Sequence, residues 1–135
     1  MKKDLIRLLD SINSEFSGEL IPVKIEHYAN KLINNSKLFL EYDGNSLIGF
    51  IAFYANNEED KRGYLSMLAI DKNYRGKGVA QLLLSKAIIY LQNITFEYFD
   101  LDVLKSNSKA IEFYKKNGFD VQNENETHFQ MRKPL

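Results

Sequence analysis

Midway along the chain, Leu68-Ala69-Ile70 is followed by Asp71-Lys72-Asn73-Tyr74-Arg75-Gly76-Lys77-Gly78 and then Val79. The first three residues close an apolar strand and Val79 opens a helix, so the polar stretch between them is a strand-to-helix loop. Gly76 and Gly78 carry no Cβ and let a ligand approach the main chain. The first turn of a helix offers unpaired N–H groups at the positive end of its dipole, which together attract an anion. Arg75 and Lys77 add two cations to the same loop. A phosphate or pyrophosphate fits it. Without a ligand, the same residues read as a glycine-rich turn with surface cations.

Two familiar phosphate loops fit poorly. A Walker A loop needs Gly-Lys-Ser/Thr, whereas Gly78 is followed by Val79-Ala80. The dinucleotide fingerprint needs a third glycine where Gln81 stands, although Asp100 or Asp102 could pass for its acidic residue.

Other chemistry-bearing residues are fewer. Glu58, Glu59 and Asp60 form an acidic loop that could accept a proton or attract a cationic amine. As an alternative, they are a solvated surface. Glu41, Asp100 and Asp102 are weaker candidates for a base. His27 and His128 lie far apart, without metal-ligand spacing, and read as surface or packing residues, with His27 able to line an acceptor pocket. The absence of cysteine excludes disulfides, thiolate metal sites and a cysteine nucleophile, and no metal is expected.

The elements that must position these residues follow from periodicity. Leu5, Leu8, Leu9, Ile12 and Phe16 recur at helical spacing, predicting a helix from about Lys3 to Phe16 that Gly18 and Pro22 end. Ile25, Tyr28, Ala29, Leu32 and Ile33 predict a second helix. Strands Lys37–Tyr42 and Ser46–Tyr54 flank the hairpin signal Asp43-Gly44-Asn45. A polar loop, Asn56–Arg62, leads to strand Gly63–Ile70. After the glycine loop comes a helix with Ala80, Leu83, Leu84, Ala87, Ile88 and Leu91 on one broad face. Strand Tyr98–Leu104, a helix from Ser108 to Lys116 stopped by Asn117-Gly118, and short strands Phe119–Asn123 and His128–Met131 complete the chain. This order reads as α/β, a mixed sheet covered by helices.

At 135 residues, with no linker or repeat, the chain reads as a single domain, 1–135. Its formal net charge of zero gives no global field for nucleic acid or an anionic membrane. No apolar run is long enough to span a bilayer, and Met1-Lys2-Lys3-Asp4 does not begin a signal peptide. A cytoplasmic location is the expectation.

Arg75-Gly76-Lys77-Gly78-Val79-Ala80 resembles the Arg/Gln-x-x-Gly-x-Gly/Ala signature of the GNAT superfamily of N-acetyltransferases. Further on, Asn107-Ser108-Lys109-Ala110-Ile111-Glu112-Phe113-Tyr114-Lys115-Lys116-Asn117-Gly118-Phe119 resembles the family's second signature, Asn-x-x-Ala-x-x-Phe-Tyr-x-x-x-Gly-Phe. Two signatures in the right order are far more specific than either alone. The resemblance covers roughly Leu47 to Phe119. It implies a mostly antiparallel sheet with a central splayed strand pair, flanked by helices. One departure concerns the start: the family usually opens with a strand, and this chain opens almost directly in a helix.

What the resemblance implies for chemistry is transfer of acetyl from acetyl-CoA to a primary amine. Main-chain amides of Arg75, Gly76, Lys77, Gly78, Val79 and Ala80 would hold the pyrophosphate. Strand residues Met67, Leu68, Ala69 and Ile70 would line the pantetheine arm, with the Leu68 N–H placed to stabilise an oxyanion. Asn107 and Ala110 would flank the arm, Asn107 also suiting a helix N-cap. Tyr114 would be the general acid, because a phenol titrates near a departing alkyl thiolate; read alone, it is core. In the histone-type relatives a glutamate is the base, at the position of Tyr64 here, leaving Glu58, Glu59 or Tyr64, as base or through a water relay, to serve. With no cysteine for an acyl-enzyme, direct attack in a ternary complex follows. The acceptor stays open between a small molecule and a peptide amine, shaped by the first two helices, His27, Tyr28, Tyr54 and the acidic loop. Homodimers are common in the family, and no residue here decides the matter. A non-catalytic acyl-CoA-binding or sensing module of the same fold is the alternative.

Overall fold

The computed structural model describes every residue except Glu19. The chain enters helix α1 (Lys2–Glu15) directly, continues in α2 (Ile25–Asn35), and then forms β1 (Lys37–Asp43), β2 (Ser46–Asn57) and β3 (Arg62–Ile70). A single 3₁₀ turn, Lys72–Tyr74, precedes α3 (Val79–Asn93), and β4 (Tyr98–Leu104), α4 (Ser108–Lys116), β5 (Asp120–Glu124) and β6 (His128–Pro134) follow. Among the described residues the strands lie in the order β1-β2-β3-β4-β6-β5. The β1–β2, β4–β6 and β5–β6 pairs are antiparallel, and the β3–β4 pair is parallel. The α/β fold class expected from the sequence is therefore the one observed. No helix among the described residues is long and apolar enough to cross a membrane.

The chain forms two compact units, Met1–Phe53 with Met67–Ala87, and Tyr54–Ser66 with Ile88–Leu135. In the first, Leu5, Leu8, Leu9 and Ile12 of α1 pack with Ala29 and Leu32 of α2 and with Leu47, Phe50, Ala52 and Ala69 of the strands. Each fully buried leucine contributes on the order of 2 kcal/mol. Buried Asn13 ends α1: its side-chain oxygen accepts from the Ile21 N–H at 2.9 Å, and its carbonyl accepts from Gly18 N–H at 2.9 Å. Helix α1 is thus held at its end by a polar side chain that the apolar periodicity could not reveal.

In the second unit, Phe99, Leu101 and Val103 alternate along β4 into a core with Leu91, Tyr114, Phe119 and Met131. The rings of Phe99 and Phe119 lie 5.8 Å apart. Gly63 is needed for close packing, since a Cβ there would stand 2.8 Å from Leu91 Cδ1. The other face of β4 is polar and carries Asp100 and Asp102. Strand β6 runs further than its apolar residues suggest, because Tyr98↔Pro134 and Phe99↔Lys133 extend the ladder through charged positions. The parallel β3–β4 register covers Arg62↔Tyr98, Gly63↔Phe99 and Tyr64↔Asp100, although both strands continue.

Candidate active site

The strand-to-helix loop is built within the first unit. Asp71 N–H donates to the Ile48 carbonyl at 2.8 Å, and the Asp71 carboxylate accepts from Asn73 N–H at 2.9 Å. These bonds pin the start of the loop to β2 and close the 3₁₀ turn. Gly76 and Gly78 then take φ of +75° and +85°, a region that L side chains rarely enter. A Cβ built at either glycine meets no atom within 4 Å, so open space lies above both. The Gly78 carbonyl accepts from Leu82 N–H at 3.0 Å, which makes Gly78 the residue that starts α3. The amides of Val79 and Ala80 fall in the first turn, where no carbonyl one turn earlier exists to take them. The turn thus presents open main chain beside the unpaired amides that begin α3.

The two cations of the loop have different partners. Arg75 is bonded beyond the glycine loop. Its Nη1 and Nη2 donate to both carboxylate oxygens of Glu15, each at 2.9 Å, and its Nε donates to the Ile70 carbonyl at 3.1 Å. Lys77 stays with the loop, its Nζ 5.4 Å from the centre of the Tyr74 ring. The Tyr74 hydroxyl donates to Asp43 at 2.7 Å, and that bond pushes the phenol above its ordinary pKa. The hairpin and the loop are tied together through this tyrosine.

Gly49 of β2 was not among the residues the sequence singled out. A Cβ there would stand 2.8 Å from Ile70 Cδ1, 3.2 Å from the Ala69 carbonyl and 3.2 Å from Val79 Cγ1. Its bareness lets the end of β3 and the start of α3 lie against β2. A glycine inside a strand pattern is the signal that could have found it. Met67, Leu68 and Ile70 are half-buried along β3, and Ala69 is buried.

In the second unit, Asn107 caps α4, its side-chain oxygen accepting from Ala110 N–H at 3.2 Å. The cap uses the oxygen and not the NH₂ group. Tyr114 is 8% exposed, with the Phe113 and Phe119 rings each 5.5 Å away, edge-on. Burial pushes its phenol up to about 12. It is therefore neutral and protonated at physiological pH, and a weaker acid than the free phenol on which the sequence reading relied.

The carboxylates separate by environment. Asp100 is 3% exposed and grips Arg132 with both oxygens, at 2.8 and 3.1 Å, with Arg62 at 3.6 Å. It is committed to that network. Asp102 is exposed and accepts from the Tyr64 hydroxyl at 2.8 Å. Glu58 and Glu59 lie exposed on a tight turn, and Asp60 is drawn into that turn by Asn57 and Arg62. Glu41 pairs with Lys86 at 3.5 Å. His27 is exposed on α2, Tyr28 is packed on the first unit's core, and Tyr54 belongs to the second unit. No group of three or more His, Cys, Asp or Glu able to hold a metal occurs among the described residues.

The sequence pattern of the acetyltransferase (GNAT) family matches residues 5–119, most of the chain. The chain belongs to the GNAT family. Mycothiol acetyltransferase of Propionibacterium freudenreichii is 30% identical over 80 residues, 58% of this chain and 26% of that protein. N-alpha-acetyltransferase 30 of Xenopus laevis is 30% identical over 119 residues, 86% of this chain and 41% of that protein. The GNAT chain thus spans less than half the length of these curated relatives. PaiA N-acetyltransferase of Thermoplasma acidophilum, solved in complex with coenzyme A, shares the fold: TM-score 0.79 at 21% identity, covering 99% of this chain and 92% of that one.

Proposed function

We propose that residues 1–135 act as one acetyltransferase domain, moving acetyl from acetyl-CoA to a primary amine by direct attack in a ternary complex. The observation that carries this reading is the bare turn at Gly76 and Gly78, with open space above it, running into the first turn of α3. Main-chain amides from Arg75 to Ala80 hold the pyrophosphate. Met67, Leu68 and Ile70 offer β3 backbone to the pantetheine amides, as an added strand would. The Ile70 carbonyl already accepts from Arg75, so Ile70 contributes chiefly its N–H. Leu68 N–H faces the carbonyl oxygen where negative charge develops, a contribution of roughly 3 kcal/mol in comparable sites. Asn107 offers its NH₂ group beside Ala110.

Proton traffic falls to two residues of the second unit. The amine must shed a proton for its lone pair to attack, and Asp102, with Tyr64 oriented on it at 2.8 Å, receives it. Glu58 and Glu59 rank behind it, as exposed turn residues. As the new N–C bond forms and the C–S bond breaks, Tyr114 gives its proton to the departing sulfur, and the second proton shed by the acylated nitrogen returns through water to the Tyr114 oxygen. Pushed up to about 12, the phenol is a weaker acid than an alkyl thiol, so the transfer is carried by cleavage of the C–S bond and not by the acidity of Tyr114.

Thiol release from acetyl-CoA across a panel of amines tests the reading. Amine-dependent release supports it. Coenzyme A binding without release for any amine makes the chain an acyl-CoA-binding module instead.

A further inference from the structure

A cleft in the second unit, about 260 Å³, is lined by Asp102, Asn123, Glu124, Asn125, His128 and Gln130. Ladder register places Asp102 opposite Gln130 and Gln130 opposite Asn123. Directly opposed residues share a face, so these three side chains make one polar row across β4, β6 and β5, roughly 10 Å wide. Asp102 is the residue assigned above to take the amine proton, so the inference rests on that reading.

The lining says what chemistry would be held there. No apolar side chain lines the cleft, so a bare alkyl chain gains little by entering. Two amide side chains, Asn123 and Gln130, lie along the row, and each has both donors and an acceptor, the complement of a hydroxyl group. Gln130 donates to Asp100 at 3.5 Å, which leaves its carbonyl oxygen to accept. His128 Nδ1 is engaged with Thr127 Oγ1 at 2.7 Å, and Asn125 accepts from the Thr127 and His128 amides, so both brace the rim. No lysine or arginine lines the cleft, and nearby Lys105 is paired with Glu124 at 3.0 Å. A carboxylate or phosphate on the acceptor would meet Asp102, whose partner is the neutral Tyr64 hydroxyl and not a cation.

We infer that this cleft is the acceptor site and that it takes a hydroxylated amine without acidic groups, one amino-sugar ring in size. The ammonium sits at Asp102, and ring hydroxyls bond Gln130 and Asn123. The volume lies just below the range of drug-sized pockets, about 300–1,000 Å³, in keeping with a single ring.

Glucosamine is the probe, with 1,4-diaminobutane, glycine and a neutral peptide N-terminus as comparators. Two readouts are needed. In NMR titrations, glucosamine is expected to shift the side-chain amide signals of Asn123 and Gln130, with or without turnover. In thiol-release assays, glucosamine should give the highest kcat/KM, and exposed Asn123→Leu should raise its KM about tenfold, leaving KM for 1,4-diaminobutane and coenzyme A affinity unchanged. Unshifted amide signals, preference for another comparator, or an equal effect of Asn123→Leu on both amines would overturn the assignment. Amine-dependent release that favours another amine would leave the acetyltransferase reading standing. Shifted amides without release from any amine would leave the cleft standing and remove the transfer reading.

Discussion

Arg75 closes a two-pronged pair with Glu15, both N···O distances 2.9 Å. Glu15 lies in the last turn of α1, where the helix dipole disfavours a carboxylate, so the cation is well placed. The same side chain holds the Ile70 carbonyl, linking the end of α1 to the end of β3.

That geometry gives a first prediction. A double-mutant cycle with Glu15→Ala and Arg75→Ala, read by urea unfolding, should return a coupling of about 0.5–1 kcal/mol. Arg75→Lys, which loses both the fork and the Nε bond, should destabilise more than Glu15→Gln. Additive effects would show that the pair carries no weight.

Gly49 gives a second. Gly49→Ala pushes a Cβ to 2.8 Å from Ile70 Cδ1 and 3.2 Å from the backbone Ala69 carbonyl. It should cost about 1–3 kcal/mol of stability and weaken coenzyme A binding, though no ligand atom need touch it. Wild-type affinity in a folded variant would contradict the packing argument.

Much of this was legible in the sequence and some could not be. Strand Tyr98–Leu104 and a helix from about Ser108 to Lys116 are legible and observed, because Phe99, Leu101 and Val103 alternate and Asn107 is a strong cap. The turn at Gly76 and Gly78 was legible because glycine is the residue that positive φ demands. The sequence places the acidic trio in a polar loop, Asn56–Arg62; the structure narrows it to a tight turn, closed by Lys61 at φ 53°, a non-glycine residue that gives no warning. Pairs such as Glu15–Arg75 and Tyr64–Asp102 join residues distant in the chain, so no local pattern could announce them. The strength of Tyr114 as an acid depends on burial, which only the folded packing of Phe113 and Phe119 sets.

Tyr114 supplies the third prediction. Tyr114→Phe should lower kcat about 10²–10⁴-fold with coenzyme A affinity nearly intact. An unchanged rate removes it as the acid.

The same residue has a signature in alkali. Unfolded, the phenol titrates at 10.0; folded, at about 12. The folded state therefore binds more protons between those values, so this contribution is whole below pH 10 and is lost as pH rises toward 12. Denaturant midpoints measured across that window should fall less steeply in Tyr114→Phe than in the parent chain. Identical slopes would mean that the phenol is not buried.

For the base, Asp102→Asn should reduce kcat/KM about 10²–10⁴-fold, and Tyr64→Phe, which leaves the carboxylate in place, about tenfold or less. Steady-state rates decide it. Equal losses in the two variants would point to Tyr64 itself, and no loss in either would return Glu58 and Glu59 to consideration.

The glycine turn itself is tested by calorimetry, titrating coenzyme A into the parent chain and into Gly78→Val. The parent should take up one equivalent with a Kd of about 1–100 μM, unaffected by ATP or NAD, and Gly78→Val should lose most of that affinity. No uptake by the parent, or uptake that Gly78→Val leaves unchanged, would contradict the account.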